Sequence, residues 1–308
     1  MSLNSGTLWI VATPLGNPGD LSPRAREILA TVDGVLAEDT RRTGLLFARC
    51  GIVSRASFTS LHEHSEQGRL AQVTGWLQEG KNLALVSDAG TPLLSDPGYL
   101  LVRACRSQGI PVRPVPGPSA VVTALSASGL PPQPFAFLGF PPRKSADRER
   151  FFAPYATIPI TLVFFERKDR LHETLASALT VLGERDGCIA RELTKTYEEF
   201  HPFSLGQYAA LPADFLGEIT VVLGPPQAGS RSDRDAVAAA LLRAGQGGGR
   251  PKDIARQVHE MITGWSVKEI YSLMQAMPLS EGLCARQATT AEDDASPDDR
   301  VSLEEGQD

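Results

Sequence analysis

Five short apolar runs organise the first part of this chain. Each run is followed by a polar loop, and most of the loops lead into a segment with helical periodicity. Short apolar runs bounded by Gly and Pro are typical of buried strands. Strands that alternate with helices predict a parallel sheet covered on both faces. The five predicted strands are Leu8–Ala12, Val35–Ala37, Ser57–Leu61, Leu83–Val86 and Val112–Val115.

The unusual residues of this region lie directly after the predicted strands, at Thr13–Asn17, Glu38–Arg42, His62–His64, Asp88–Pro92 and Pro116–Ser119. The carboxyl ends of parallel strands meet at one edge of a sheet, where ligands of open α/β sheets bind. We therefore expect a small-molecule site at this edge, with Asp88–Pro92 at its centre. A simple turn that caps the next helix is the alternative interpretation of each loop.

A second α/β region follows Gly129. Its predicted strands are Phe135–Leu138, Thr161–Phe165, Cys188–Arg191 and Ile219–Leu223, and its clearest helix is Leu171–Leu182. Pro225–Ser230 reads as a linker to helices at Ala236–Arg243, Lys252–Ile262 and Val267–Met277, which suit either a helix-turn-helix or a plain bundle. The predicted fold is α/β: domains at 1–117 and 118–226 with a cleft between them, a small helical module at 227–282 and a disordered tail at 283–308.

Charge and cysteine content restrict the function classes. The chain has a net charge of −6, and its last 26 residues carry eight acids against two arginines, so the remainder is neutral overall. The four cysteines are scattered, without disulfide or zinc spacing. No apolar run reaches the about 20 residues of a membrane span, and the start lacks the pattern of a signal peptide. We expect a cytoplasmic protein that binds neither membrane nor metal.

Several charged clusters suit phosphate or catalysis. Glu38–Arg42 brings two arginines to a strand end, and Arg143, Lys144, Arg148 and Arg150 follow a Gly/Pro loop as a basic patch. The segment Arg191–Glu198 holds acids, cations and an aromatic ring. Solvated charge and cross-strand ion pairs are the alternatives for these clusters. His62 and His64 lack a visible third ligand for a metal. The common fingerprints for nucleoside triphosphates and dinucleotides are absent from the sequence.

Six motifs in order resemble a known family: Val11–Asn17, Ala37–Arg41, Leu85–Pro92, Asp96–Tyr99, Pro116–Ala120 and Arg191–Thr196. The sequence resembles the tetrapyrrole-methylase-like methyltransferases, which use S-adenosylmethionine. Within them it is similar to the ribosomal RNA small subunit methyltransferase I branch, which methylates a ribose 2′-hydroxyl of a decoding-centre cytidine in 16S rRNA. The resemblance implies a homodimer with the cofactor in the cleft. The implied cofactor-binding residues are Pro14, Asp88, Gly90, Thr91, Pro92, Ser119, Ala120, Phe164 and Leu193.

The resemblance also implies a partner, either 16S rRNA or the small ribosomal subunit. Six residues have chemistry suited to a general base: Glu38, Asp39, His62, His64, Glu192 and Lys195. Of these we expect Glu192 or Lys195 to lie nearest the ribose. The expected RNA contacts are Arg41, Arg42, His62, Arg143, Lys144 and Lys195. Two alternatives stay open at this point: methylation of a tetrapyrrole by the same fold, and a non-catalytic ribosome-assembly factor that binds RNA.

Overall fold

The fold is taken from a computed structural model, which describes residues 5–212, 215–227, 234–245, 248–262 and 264–277. The chain divides into two compact units, Met1–Gln227 and Ala228–Asp308. The predicted boundary at 226/227 lies next to this division, whereas a domain boundary at 117/118 stays a prediction. The predicted tail at 283–308 lies outside the described residues.

The first sheet of the larger unit is parallel throughout, as predicted. Its strands have the order β3-β2-β4-β1-β5. The central strands β2 and β4 are fully buried because helices cover both faces of the sheet. The strands are β1 Leu8–Val11, β2 Gly34–Ala37, β3 Ser57–Ser60, β4 Leu83–Val86 and β5 Val112–Val115.

Five helices alternate with these strands: α1 Pro23–Thr31, α2 Thr40–Arg49, α3 Glu63–Gln78, α4 Tyr99–Ser107 and α5 Ala120–Ala127. Ser22 caps α1 by accepting a hydrogen bond from the Ala25 N–H at 3.1 Å, as its spacing to Pro23 predicts. Helix α2 follows the second strand, as the five successive strand–helix units predict, but its bounds were not predicted because its first turn reads as a charged run. Asp39 caps it, and Phe47 on its inner face is buried in the core.

The second sheet is mixed. Strands β6 and β7 are parallel and the other neighbours are antiparallel, in the order β6-β7-β10-β8-β9. Strand β9 was not predicted, because its two phenylalanines stand among polar residues and a proline. It lies at the edge of the sheet, where Pro202 is tolerated although it has no backbone N–H and where none of the six residues is fully buried. The strands are β6 Phe135–Phe137, β7 Thr161–Glu166, β8 Asp186–Arg191, β9 Glu199–Ser204 and β10 Ile219–Leu223.

Helices α6 Ser145–Phe152 and α7 Leu171–Leu182 pack beside this sheet, and α6 corrects one expectation. Arg148 is not part of a solvated basic patch: it is buried on α6, with Nε donating to Ser177 Oγ at 3.2 Å. Its Nη1 also donates to the Arg143 carbonyl at 2.7 Å. Arg148 therefore holds the end of the Gly/Pro loop against α7.

The smaller unit contains α8 Arg234–Gly245, α9 Pro251–Met261 and α10 Val267–Ala276 around its own apolar core. Ser266 caps α10, as predicted, by accepting a hydrogen bond from the Glu269 N–H at 3.3 Å. Across the described ranges no helix is long and apolar enough to cross a membrane.

Candidate active site

A cavity of about 660 Å³ opens where the loop edge of the first sheet faces the second sheet within the larger unit. The loops after β2, β4 and β5 supply one wall, and the end of β7 with the start of β10 supplies the other. Chain direction in a parallel sheet brings these loops together. The lining includes five of the predicted cofactor residues: Asp88, Gly90, Thr91, Ser119 and Ala120.

Asp88 holds an unsatisfied acceptor at the cavity. Its Oδ2 lies 2.8 Å from Nη1 of Arg42 on α2. Its Oδ1 is buried and has no hydrogen-bond partner among the described residues. A buried carboxylate oxygen without a partner is costly, and it is satisfied when a ligand places a hydroxyl or ammonium group against it. Asp88 is thus equipped to bind a hydrogen-bond donor.

The loop after β4 is locked to its neighbours on both sides. Gly90 forms a short antiparallel bridge with Thr13, with hydrogen bonds of 2.8 and 3.0 Å. Its φ of +82° favours glycine. Thr91 Oγ1 donates to the Pro118 carbonyl at 2.9 Å. These contacts hold the Asp88–Thr91 backbone against the loops after β1 and β5, so this wall of the cavity is preformed.

The same loop is strained just before Asp96. Leu93 and Ser95 have φ values of +76° and +66°, in the left-handed region that non-glycine residues rarely adopt. Such conformations cost about 1 to 3 kcal/mol each and cluster at functional sites. Leu94 and Ser95 line the cavity together with Asp96. The strained backbone therefore lies in the segment that lines the cavity.

Two carboxyl groups at the cavity have raised pKa values. Burial, reinforced by the nearby charges of Glu38 and Asp88, raises the pKa of Asp96 to about 7. Partial burial and then the charge of Asp88 raise the pKa of Glu38, while Arg42 and His62 act in the opposite direction. Three acids thus face one another with fewer cations than negative charges.

The wall from the second sheet is aromatic within and charged at its rim. Phe165 lies at the cavity with its ring centroid 5.4 Å from Phe140 and 4.9 Å from Phe137. Arg167, Lys168 and Asp169 follow it at the rim. Phe164, the predicted wall residue, points to the opposite face of β7 and is fully buried in the core. Alternation along a strand explains why its neighbour takes the position at the cavity.

Glu192 and Lys195, the predicted catalytic residues, form an ion-pair cluster beside the cavity. Lys195 Nζ lies 2.8 Å from Glu192 Oε1 and 3.0 Å from Oε2 of Glu218, which lines the cavity. Partial burial opposes ionisation of Glu192, but the hydrogen bonds from Lys195 and the Glu218 N–H prevail and lower its pKa. A paired carboxylate of lowered pKa is a weak proton acceptor at neutral pH.

This cluster also joins the two sheets of the larger unit. Thr194 Oγ1 accepts a hydrogen bond from the Asn17 N–H at 3.1 Å, and a Cβ at Gly16 would collide with the Lys195 side chain. Glu192 and Thr194 adopt left-handed backbone conformations to make these contacts. The geometry favours a positioning role for this segment.

The other predicted cofactor residues lie away from the main cavity. Pro14 lines a smaller cavity of about 190 Å³ that shares Arg42 and Asp88 with it. Pro92 is buried behind the loop, and Leu193 belongs to an apolar cluster with Leu15 and Val121. Their role in cofactor binding stays a prediction.

The predicted RNA contacts fall into two exposed groups. Arg41 and His62 lie beside Arg42 at the loop edge of the first sheet, and Arg41 pairs with Asp39 at 3.0 Å. Arg143 and Lys144 are exposed in the loop before α6. Lys195 is instead engaged by two carboxylates. No group of three potential His, Cys, Asp or Glu ligands is placed to hold a metal ion in the part of the chain that the structure describes.

Asp96 and Phe165 lie in stretches that the sequence assigned to the site, but they were not among the residues named individually. Phe140, Arg167 and Lys168 were not predicted as site residues. The Asp-Pro-Gly sequence after a loop was a usable signal for Asp96, and the charged run after a strand was one for Arg167 and Lys168. Nothing in the sequence pattern separates Phe165 from Phe164.

Comparison with solved structures identifies proteins with a similar fold. The methyltransferase CobJ matches with a TM-score of 0.57 at 17% identity, over 72% of this chain and 95% of that one. Uroporphyrin-III C-methyl transferase from Thermus thermophilus, complexed with S-adenyl homocysteine, matches with a TM-score of 0.52 at 18% identity. That match covers 71% of this chain and 97% of the other. At these identities the likeness concerns the fold alone.

Comparison of sequences finds relatives at higher identity. The model of the tetrapyrrole (corrin/porphyrin) methylases matches residues 7–209. Ribosomal RNA small subunit methyltransferase I of Micromonospora olivasterospora is 44% identical over 271 residues, which are 87% of this chain and 86% of the relative. The protein of the same name from Escherichia coli O157:H7 is 50% identical over 208 residues, 67% of this chain and 72% of the relative. The chain belongs to the tetrapyrrole methylase family and, within it, to the ribosomal RNA small subunit methyltransferase I family.

Proposed function

We propose that this protein transfers a methyl group from S-adenosylmethionine to the ribose 2′-hydroxyl of a decoding-centre cytidine in 16S rRNA. The observation that carries the proposal is the preformed cavity, with the unsatisfied Asp88 Oδ1 on one wall and Phe165 on the other. The names of the relatives support rRNA as the substrate. The choice of the 2′-hydroxyl and of cytidine is part of the proposal.

The cavity residues fit S-adenosylmethionine. Asp88 Oδ1 offers a buried acceptor for a hydroxyl or ammonium donor. Gly90 lets a ligand approach the backbone, and Ser119 precedes the amino terminus of α5, where free N–H groups favour a carboxylate. When bound, S-adenosylmethionine supplies a methyl group that its sulfonium has already activated. The protein then has to position the acceptor, exclude water and remove a proton.

Two groups of exposed basic residues suit the RNA backbone. Arg41, Arg42 and His62 are exposed at one side of the cavity, and Arg143 with Lys144 lies in the loop that continues from Phe140. Exposed arginine and lysine bind phosphate without reading sequence, so they would orient the strand while the cavity accepts one nucleotide. We further propose that the protein acts as a homodimer in the cytoplasm.

The test is methylation of small ribosomal subunits and of free 16S rRNA from cells that lack this protein. Incubation with radiolabelled S-adenosylmethionine, followed by mapping of ribose methylation, should place one methyl group on a decoding-centre cytidine. Asp147→Asn, on the surface of α6, is the matched control for Asp88→Asn, which should weaken cofactor binding in calorimetry. Base methylation, or methylation of a porphyrinogen instead of RNA, would refute the proposal. Absence of cofactor binding would favour the alternative of a non-catalytic RNA-binding protein.

A further inference from the structure

The loop from Gly139 to Lys144 connects the cavity to two exposed basic side chains. It leaves β6 in register with β7, because the Phe165 N–H donates to the Gly139 carbonyl at 2.9 Å. Phe140 then lines the cavity, and Arg143 and Lys144 are exposed at the far end of the loop. Lys144 lies four residues after Phe140, so their Cα atoms are at most about 14 Å apart. The loop therefore places positive charge at a limited distance from the cavity.

Two arginines hold the backbone of this loop. Pro141 and Pro142 have no N–H, so the middle of the loop lacks backbone donors. Arg170, directly before α7, donates from Nη2 to the carbonyls of Pro141 at 2.7 Å and Pro142 at 2.9 Å. Arg148, on α6, donates from Nη1 to the Arg143 carbonyl at 2.7 Å. Three successive carbonyls of the loop thus accept hydrogen bonds from guanidinium groups.

Arg170 is itself fixed by a buried carboxylate. Its Nη2 lies 3.3 Å from Oε2 of Glu166, whose side chain is fully buried at the end of β7. The same carboxylate accepts hydrogen bonds from the Thr174 hydroxyl at 2.5 Å and from the Arg167 N–H at 2.8 Å. Such an ion pair contributes little net stability after its desolvation cost. Its consequence here is a guanidinium held in one place beside the loop.

Arg148 is anchored separately from Arg170. Its Nε donates to Ser177 Oγ at 3.2 Å, and its Nη2 lies 3.4 Å from Oε2 of Glu173. The Arg148 and Arg170 side chains are only 5% and 16% exposed. With their donors directed at loop carbonyls, both arginines can influence RNA only through the loop that they hold.

We infer that Arg148 and Arg170 are positioning residues for RNA binding, an inference that rests on the proposed function. They fix the loop in the free protein, so that Arg143 and Lys144 meet the backbone phosphates beside the nucleotide that enters the cavity. A loop that is already ordered avoids the entropic cost of becoming ordered when RNA binds. The competing interpretation is that the two arginines only satisfy carbonyl groups and stabilise the fold.

The experiment is a double-mutant cycle between Arg148 and the two basic side chains. Filter binding at several salt concentrations measures the affinity for small subunits from cells that lack this protein. The variants are Arg148→Met, Arg143→Met with Lys144→Met, and all three substitutions together. Arg55→Met is the charge-matched control, since exposed Arg55 precedes β3 at the end of the first sheet opposite the loop edge. Calorimetry with S-adenosylmethionine checks that each variant is folded.

A second variant tests Arg170 independently. Glu166→Gln is combined with Arg170→Met, so that no unpaired charge stays buried. Removal of Arg148 alone creates no such charge, because the Glu173 side chain is 67% exposed.

Arg148→Met should weaken subunit binding about 3- to 10-fold, because the loop then becomes ordered only on binding. The slope of the salt dependence should stay unchanged, since no phosphate contact is lost. Arg143→Met with Lys144→Met should lower that slope by about 2. In that background Arg148→Met should change the affinity by less than about twofold, because the side chains through which it acts are gone. Glu166→Gln with Arg170→Met should weaken binding in the same way as Arg148→Met.

The inference is overturned if either folded variant binds subunits as tightly as the parent and Arg55→Met do. It is also overturned if the effect of Arg148→Met persists without Arg143 and Lys144, or if Arg148→Met itself lowers the slope. Loss of cofactor binding in both variants would assign the two arginines a purely structural role and would overturn it as well. A parent that binds cofactor but neither binds nor methylates subunits refutes the proposed function instead.

Discussion

Replacing Asp96 by asparagine should stabilise the folded protein at alkaline pH, although it removes a carboxylate from the cavity. In the folded protein the pKa of Asp96 is about 7, against 3.8 for an ordinary aspartate. A carboxyl whose pKa is raised by folding opposes the folded state once it ionises. The stability of the parent should therefore fall as the pH rises from about 4 to about 7, and asparagine avoids that loss because it carries no charge.

The magnitude follows from the two pKa values. A rise of the Asp96 pKa from 3.8 to about 7 destabilises the folded protein by at most about 4 kcal/mol when the carboxyl is ionised. Asp96 is half-buried, and water in the open cavity screens Glu38 and Asp88. Screening of this kind reduces the effect, so we expect a net gain of about 1 to 2 kcal/mol at pH 8. At pH 5 the gain should be less than half as large, since Asp96 is then mostly protonated.

The assay is urea unfolding of the parent and Asp96→Asn at pH 5 and pH 8, followed by circular dichroism. Asp147→Asn serves as the control, because Asp147 lies on the surface and pairs with Arg150 at 3.3 Å. Its effect should be small at both pH values. An equal effect of Asp96→Asn at both pH values, or a loss of stability at pH 8, would refute the reasoning. A pH-dependent gain would identify Asp96 as a residue kept at a cost in stability.

Three further predictions concern the two phenylalanines of β7, the ion-pair cluster around Lys195, and the buried and exposed cations near α6. Phe164→Ala should lower the free energy of unfolding by about 3 to 5 kcal/mol in urea titrations, whereas Phe165→Ala should mainly raise the dissociation constant for S-adenosylmethionine in calorimetry. Lys195→Met should lower the free energy of unfolding by about 1 to 2 kcal/mol at pH 7. The loss should be smaller in acid, once the pH falls through the lowered pKa of Glu192 and its carboxylate is protonated. Arg148→Met should destabilise the protein by about 1 to 3 kcal/mol without changing the salt dependence of RNA binding, while Lys144→Met should flatten that dependence in filter-binding assays.

The sequence predicted elements well where the burial pattern is regular. The central strands β2 and β4 are buried on both faces, so they read as continuous apolar runs. The prediction was less complete where burial is one-sided or the segment is charged. The bounds of helix α2 were not predicted, because its apolar positions follow the charged run Asp39–Arg42. The edge strand β9 was missed because its two phenylalanines stand among polar residues and Pro202. In both cases tertiary contacts outweigh the local pattern.

Arg148 and Lys195 show a second limit. Both read as free cations, since a sequence does not reveal which charges meet in space. Folding places Arg148 against Ser177 and Glu173 and brings Lys195 between Glu192 and Glu218. Pairing of this kind joins residues from different elements, so only packing decides it.

The loop edge with Asp88–Thr91 was determined by the sequence itself, because the order of strands and polar loops forces these residues to one end of a parallel sheet. The motif order likewise sufficed to indicate the family. What the tertiary structure alone decided is the chemistry within the cavity. It directs Phe165 rather than Phe164 to the cavity and pairs Lys195 with two acids. It also leaves Asp96 half-buried near the like charges of Glu38 and Asp88. A side chain's basicity depends on its neighbours and on its burial, and both arise when the chain folds.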